Sequence, residues 1–203
     1  MIILLTIAEF FCGSLMFSYW LGLTIKKDIR TIGDGNPGAF NLWHAAGFKL
    51  GILGIFLDFL KGYLPLVVFI ELGYIKGFEI IPVATAPILG HIFSPFLKFK
   101  GGKSIAVTFG VWSAVTRFEV SIIFAVILAI FSILSKAYKK KNSMSAEIDA
   151  FAVVLGMVII FIYLLIRNFP NYIISLWFLN FILLSYRNKE KMYTLFKLRF
   201  GKS

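Results

Sequence analysis

Apolar runs of about 20 residues recur along this chain, and a run of that length matches the roughly 30 Å of hydrocarbon that a helix must cross in a bilayer. The first is "MIILLTIAEFFCGSLMFSYWLGLTI", at residues 1–25. Seven hydrophobic segments can be drawn, near 2–25, 47–72, 78–97, 104–116, 118–135, 147–167 and 169–186. The residues are 59% hydrophobic and 15% charged, and mean hydropathy is +0.87. A water-soluble fold of this size has too little interior to hide so much apolar surface, so part of the solvent must be lipid. The alternating 10-residue pattern of a membrane barrel is missing. The expected fold is all-α: a polytopic membrane helical bundle of about seven transmembrane segments, forming one domain over residues 1–203. The fourth segment is too short for a straight crossing. It is either a half-span or joined to its neighbour through a break near Arg117.

The cations test that layout. With seven spans, 17 of the 21 Lys and Arg residues fall on one side, in the segment after span one, the 98–103 break, the 136–146 loop and the C-terminal tail. Lys76, Arg117 and Arg167 fall on the other side, and Lys61 lies inside span two. The positive-inside rule makes the heavy side cytoplasmic, with the N-terminus outside and the C-terminus inside. The net charge of +11 is then a topology signal that also meets anionic headgroups, and no nucleic-acid partner is expected. The first run lacks a basic leader and is long for a signal peptide, so it reads as a retained span. The single cysteine, Cys12, excludes an internal disulfide and packs in that span.

Two loops on the heavy side carry polar chemistry. In "IRTIGDGNPGAFN" (29–41), Gly33, Gly35 and Gly38 fit the spacing of a dinucleotide fingerprint, but a membrane helix precedes them where that motif needs a strand. Taken locally, the glycines allow tight turns and can aim N–H groups at a guest, while Asn36 and Asn41 offer amides. On its own, the loop is ordinary turn chemistry. In "GHIFSPFLKFKGGKS" (90–104), the ending GGKS is not a P-loop, because Leu97 stands where glycine is required. An anion site is still physically sensible: backbone N–H groups around Gly101 and Gly102 as a nest, Lys103 as a point charge, and a helix starting at Ser104. Lys98 and Lys100 read as snorkelling residues at a helix end, and His91 as a packing residue. Asp58 and Lys61 share a face of span two and read as an intramembrane ion pair. Glu9 has no obvious partner in the sequence. With two histidines and no H-E-x-x-H or G-x-S-x-G, no metal, cofactor or serine triad is expected. The ionisable residues gather at one face, unlike a transporter's midplane site.

Taken together, "GSLMFSYWLG" (13–22), "DIRTIGDGNPGAFNLWHAAG" (28–47), "LDFLKGYLPL" (57–66) and "GHIFSPFLKFKGGKS" (90–104) resemble the bacterial membrane-embedded acyl-phosphate:glycerol-3-phosphate acyltransferases. That family has seven spans, an external N-terminus and its motifs on the cytoplasmic face. The resemblance implies transfer of a fatty acyl group from acyl phosphate to the sn-1 hydroxyl of glycerol 3-phosphate, giving lysophosphatidic acid for phospholipid synthesis in the cell membrane. The mixed anhydride is already activated, so no nucleophile on the protein is needed, and the chain has only to hold phosphate, place the hydroxyl and stabilise the oxyanion. By the same resemblance, Gly101, Gly102, Lys103 and Ser104 would bind the donor phosphate. Asp34, Gly35, Gly38, His44, Asn188 and Lys191 would hold the acceptor, and Asn36, Lys103 and Ser143 would act in catalysis. The chain departs from the family pattern on the acceptor side. Asp34 replaces Ser, Phe40 replaces Thr and His44 replaces Arg, while Asn188 and Lys191 stand at the family's His and Asn. Ser104 also stands where the pattern has Gly. A charge count predicts weaker hold on a dianionic acceptor unless Lys191 compensates. Two other outcomes stay open at this point: the same chemistry on a less anionic acceptor, or a non-catalytic lipid- or anion-binding membrane protein.

Overall fold

The computed structural model describes residues 1–139 and 145–200. Among them the regular structure is helical. In chain order the helices are α1 (Ile2–Ser14), α2 (Phe17–Thr24), α3 (Ala39–Ala46), α4 (Phe48–Glu71), α5 (Ile80–Ile92), α6 (Ile105–Thr116), α7 (Glu119–Lys139), α8 (Ser145–Ile166) and α9 (Asn171–Phe200). Short 3-10 turns lie at Ile29–Thr31, Gly77–Glu79 and Pro95–Leu97. The chain divides into two compact units, Met1–Phe118 and Glu119–Ser203.

The distribution of polarity is that of a protein solvated by lipid. Ile3, Leu4, Phe56, Leu64, Ile122, Ile133 and Ile162 are exposed, while Glu9, Asp58, Lys61 and Asn180 are buried. Among the described residues, four stretches are long and apolar enough to cross a membrane: Ile2–Thr24, Phe48–Glu71, Gly77–Leu97 and Ala146–Ile166. α6 is a short apolar helix of 12 residues. It ends where Arg117 and Phe118 both take positive φ, 47° and 69°, so a sharp break does lie near Arg117. The C-terminal segment, read from sequence as a span followed by a tail, is one 30-residue helix.

The first unit is held by helices that approach closely through small residues. A Cβ on Gly110 of α6 would fall on the Phe59 carbonyl of α4, and one on Gly62 would lie 2.6 Å from the Val107 carbonyl oxygen. Apolar tails gain little by contact with one another in lipid, so backbone approach of this kind carries much of the association. The first run is broken at Leu15–Met16, between α1 and α2. A break strands carbonyls that lipid cannot satisfy. Two residues distant in sequence supply the donors: Ser94 Oγ donates to the Ser14 carbonyl at 2.7 Å, and Lys61 Nζ donates to the Leu15 carbonyl.

Above this break sits an apolar cluster of Met16, Tyr19, Ile29, Leu42, Ala45 and Leu97. It joins α2, the first loop, α3 and the 3-10 turn before Lys98, and so brings both polar loops to one place. α3, with Gly38 as its N-cap, was not foreseen from sequence. Its buried face is Leu42 and Ala45, and its last carbonyls receive Lys27 Nζ at 2.5 Å from Ala45 O, a cation at a helix C-terminus.

In the second unit, α8 and α9 pack through Met157, Ile160, Leu164, Ile173, Leu176 and Trp177. Trp177 Nε1 donates to the Met157 carbonyl at 2.8 Å, and the Phe161 and Trp177 rings stack at 4.4 Å.

Gly110→Leu should force α4 and α6 apart, because the atoms it meets are backbone. Overpacking of this kind costs about 1–3 kcal/mol, and thermal unfolding in detergent should show a lowered Tm.

Candidate active site

The two polar loops meet in an ion pair. Lys103 Nζ lies 2.6 Å from Asp34 Oδ2, with the side chains 22% and 12% exposed. The other carboxylate oxygen, Asp34 Oδ1, accepts from the Asn36 backbone N–H at 3.2 Å and from Asn41 Nδ2 at 3.1 Å. Asn41 Nδ2 also donates to the Asn36 carbonyl at 2.9 Å. Asp34 is thus the hub around which "GDGNPGAFN" is folded, and Lys103 ties that fold to the second loop. Burial pushes the Asp34 carboxyl upward, but the Lys103 ammonium, the Asn36 amide and the Asn41 side chain together hold it below the usual carboxylate range.

Gly33 and Gly35 adopt φ of 58° and 74°, left-handed values that let the chain wrap round the carboxylate. Among the described residues, the side-chain oxygens of Asn36 and Asn41 are buried without a hydrogen-bond partner, which is uncommon for buried polar atoms. Gly38 is buried and is the N-cap of α3. His44 lies on the exposed side of α3, its ring edge-on to Phe40 at 4.6 Å between centroids.

In the second loop the nest expectation is corrected. The Gly101 N–H donates to the Ile92 carbonyl at 2.9 Å and the Gly102 N–H to the His91 carbonyl at 3.0 Å. These amides face inward, toward the end of α5. Both glycines are required for space: a Cβ on Gly101 would meet the His91 carbonyl, and one on Gly102 would meet His91 Nε2. The left-handed φ values belong to Lys98, Phe99 and Ser104, at 53°, 60° and 60°. Ser104 is buried, and its hydroxyl donates to the Ile88 carbonyl at 3.1 Å. What remains for an anion is the Lys103 ammonium and the start of α6 immediately after it. Lys98 and Lys100 are exposed.

The remaining candidates belong to the second unit. Asn188 is buried, and its Nδ2 donates to the Leu184 carbonyl at 2.8 Å. Its Oδ1 has no hydrogen-bond partner among the described residues. Lys191 Nζ pairs with Glu147 Oε1 at 3.5 Å. Ser143 lies outside the described residues. Asp58 and Lys61 do form a buried ion pair, at 2.8 Å. Sequence reading missed a further contact, Lys61 Nζ to His91 Nδ1 at 2.9 Å. Thirty residues separate the two, and nothing in the spacing signals it. It also missed the Asp34–Lys103 pair, although the opposite charges in the two loops were there to be matched. Among the described residues, no group of acidic, histidine and cysteine side chains is placed to hold a metal ion.

A family model described as glycerol-3-phosphate acyltransferase matches residues 3–197. Glycerol-3-phosphate acyltransferase 1 of Thermotoga maritima is 40% identical over 188 residues, covering 91% of this chain and 92% of that protein. The glycerol-3-phosphate acyltransferase of Aquifex aeolicus is 32% identical over 188 residues, 93% and 92% of the two chains. The crystal structure of PlsY (YgiH), an integral membrane glycerol 3-phosphate acyltransferase, superimposes in its glycerol 3-phosphate form with a TM-score of 0.82 and 28% identity. That match covers 98% of this chain and 93% of that one. The lysophosphatidic acid form gives a TM-score of 0.81.

The lowered Asp34 carboxyl fixes the sign of a pH effect. Its stabilising contribution is fully present above the ordinary Asp value near 3.9 and is lost as pH falls through the lower folded value. Thermal unfolding of the wild type and Asp34→Asn should therefore differ by a constant amount from about pH 5 to 8, with the wild type more stable. The gap should close only in stronger acid. A gap that shrinks near neutrality would show that the pair is not ionised as described.

Proposed function

The chain belongs to the glycerol-3-phosphate acyltransferase family and is a membrane acyltransferase; on that premise we propose that it uses acyl phosphate as donor and makes lysophosphatidic acid. The observation that carries the reading is the placement of Lys103 against the Asp34-centred loop, which joins a phosphate-binding cation to a set of hydroxyl-binding groups. Glycerol 3-phosphate binds to a relative of the same fold and lysophosphatidic acid to the same relative, which supports the acceptor and the product here.

In the reaction the acceptor's sn-1 hydroxyl oxygen forms an ester bond to the acyl carbon. The bond from that carbon to the phosphate oxygen breaks, and the hydroxyl proton ends on the phosphate product. Attack builds negative charge on the carbonyl oxygen, and departure builds it on phosphate. Lys103 and the first turn of α6 meet the phosphate charge electrostatically. Gly101 and Gly102 serve by letting this loop lie flat on His91, and Ser104 serves by fixing the start of α6. Asn36, with its free buried acceptor, orients the hydroxyl, and Gly35 and Gly38 shape the loop around it. His44, Asn188 and Lys191 are assigned to the acceptor's phosphate by their family positions, and Ser143 to catalysis on the same basis.

Asp34 changes the energetics of this site. Its carboxylate occupies Lys103 in the resting protein, so an incoming dianion has to displace it. The cation is therefore held pre-placed, at some cost in affinity for phosphate.

We also assign the enzyme to the cell membrane with seven spans, the N-terminus outside and the site at the cytoplasmic face. The 17-to-3 asymmetry of Lys and Arg supports this orientation. The seven helical segments expected from sequence each have a helical counterpart, and a family model spanning 3–197 supports one functional domain.

The test is an assay of purified protein in lipid with acyl phosphate and glycerol 3-phosphate. Lysophosphatidic acid should form, and Lys103→Ala should lower kcat/KM on the order of 10²–10³-fold, as removal of one charged stabilising donor does elsewhere. Turnover by the variant comparable with wild type would remove Lys103 from the site.

A further inference from the structure

The buried polar groups of the first unit form a path from the middle of α4 to the phosphate loop. Lys61 is 4% exposed, Asp58 2% and His91 4%. Three acceptors surround the Lys61 ammonium: Asp58 Oδ1 at 2.8 Å, the Leu15 carbonyl and His91 Nδ1 at 2.9 Å. Asp58 is held in turn by Ser18 Oγ, which donates to its Oδ2 at 2.7 Å. Burying a lysine in a membrane helix is costly, and a plain ion pair would be as well served by two apolar residues. The arrangement therefore has to do something that apolar residues cannot.

The chemistry of the ammonium states what that is. It carries three donors and no acceptor. Facing Lys61, His91 Nδ1 must accept, so the ring is neutral and its proton sits on Nε2. That nitrogen is the atom against which Gly102 is laid, so closely that a methyl group on Gly102 would collide with it. The carbonyls of His91 and Ile92 bind the amides of Gly102 and Gly101 from the same side. The residue after Gly102 is Lys103.

We propose that Lys61 is a positioning residue for the phosphate loop: it locks His91 in the neutral Nε2–H tautomer, and the locked imidazole is the wall on which Gly101-Gly102-Lys103 is set. The buried charge pair thus acts on the active site through one ring. Its activity readout rests on the assignment of Lys103 to phosphate; its spectroscopic readout does not.

The chain contains two histidines, so selective ¹⁵N-histidine labelling of the protein in detergent gives two imidazoles, with His44→Gln used only to assign them. At neutral pH, His91 should show one neutral species with Nε2 protonated and Nδ1 bare. An imidazolium, or a proton on Nδ1, would overturn the proposal. The second arm is the double variant Asp58→Leu/Lys61→Met, which removes both charges together and leaves no buried ion unpaired. It should fold with a lowered Tm, because the Leu15 carbonyl loses its donor and the Ser18 hydroxyl its acceptor, show mixed His91 tautomers, and lose roughly 10- to 100-fold in kcat/KM, the size of effect seen when a partner that orients a metal-binding histidine is removed. A folded double variant with wild-type turnover would also overturn it. Should that variant not fold, the wild-type tautomer decides alone. If the wild type makes no lysophosphatidic acid but shows the locked tautomer, it is the functional assignment that fails and not this one.

Discussion

Lys103 and Asp34, 2.6 Å apart, are the contact on which the organisation of the first unit's polar end depends. Each loop is uninformative by itself. One is a glycine-rich turn, and the other is a basic break between two apolar helices. Joined, they put an ammonium against a loop that carries, among the described residues, two buried amide oxygens without a hydrogen-bond partner, of Asn36 and Asn41. The apolar cluster beneath them, from Met16 to Leu97, brings the loops within reach, and the ion pair sets their register. A half-buried pair of this kind is worth more than a surface pair because solvent screens it less.

Lipid imposes the second condition. A backbone in hydrocarbon has to satisfy its own polar groups, yet the first apolar run is broken at Leu15–Met16. The stranded carbonyls of Ser14 and Leu15 are taken by Ser94 and Lys61, one just after α5 and one in α4. The break therefore has partners in α4 and in the 90–104 stretch, and the same lysine reaches His91. Structural repair of a broken span and placement of the phosphate loop use one buried cation.

Much of this was legible in the sequence. The period and length of the apolar runs placed α4, α5, α6, α7 and α8 within a few residues, because a membrane leaves the chain few alternatives to long helices. The Asp58–Lys61 pair was legible because helical spacing of three puts both on one face. α3 was not, since eight residues after a Pro-Gly turn carry too weak a pattern, and packing on Leu42 and Ala45 decides it. The role of Gly101 and Gly102 was misread for a specific reason. Glycine in a sequence signals either freedom of φ or the absence of a side chain, and only the His91 wall shows that the second applies. The pairing of Lys103 with Asp34 joins residues 69 positions apart, a distance over which local pattern says nothing.

The central claim is that the two loops form one site through this ion pair, and a double-mutant cycle on it is the most direct measurement. Asp34→Ser, Lys103→Met and the double variant would be compared with wild type by thermal unfolding in one detergent at neutral pH. Coupled loops predict an interaction energy of about 1 kcal/mol or more between the two positions. Additive effects, with the double variant losing the sum of the single losses, would contradict the account.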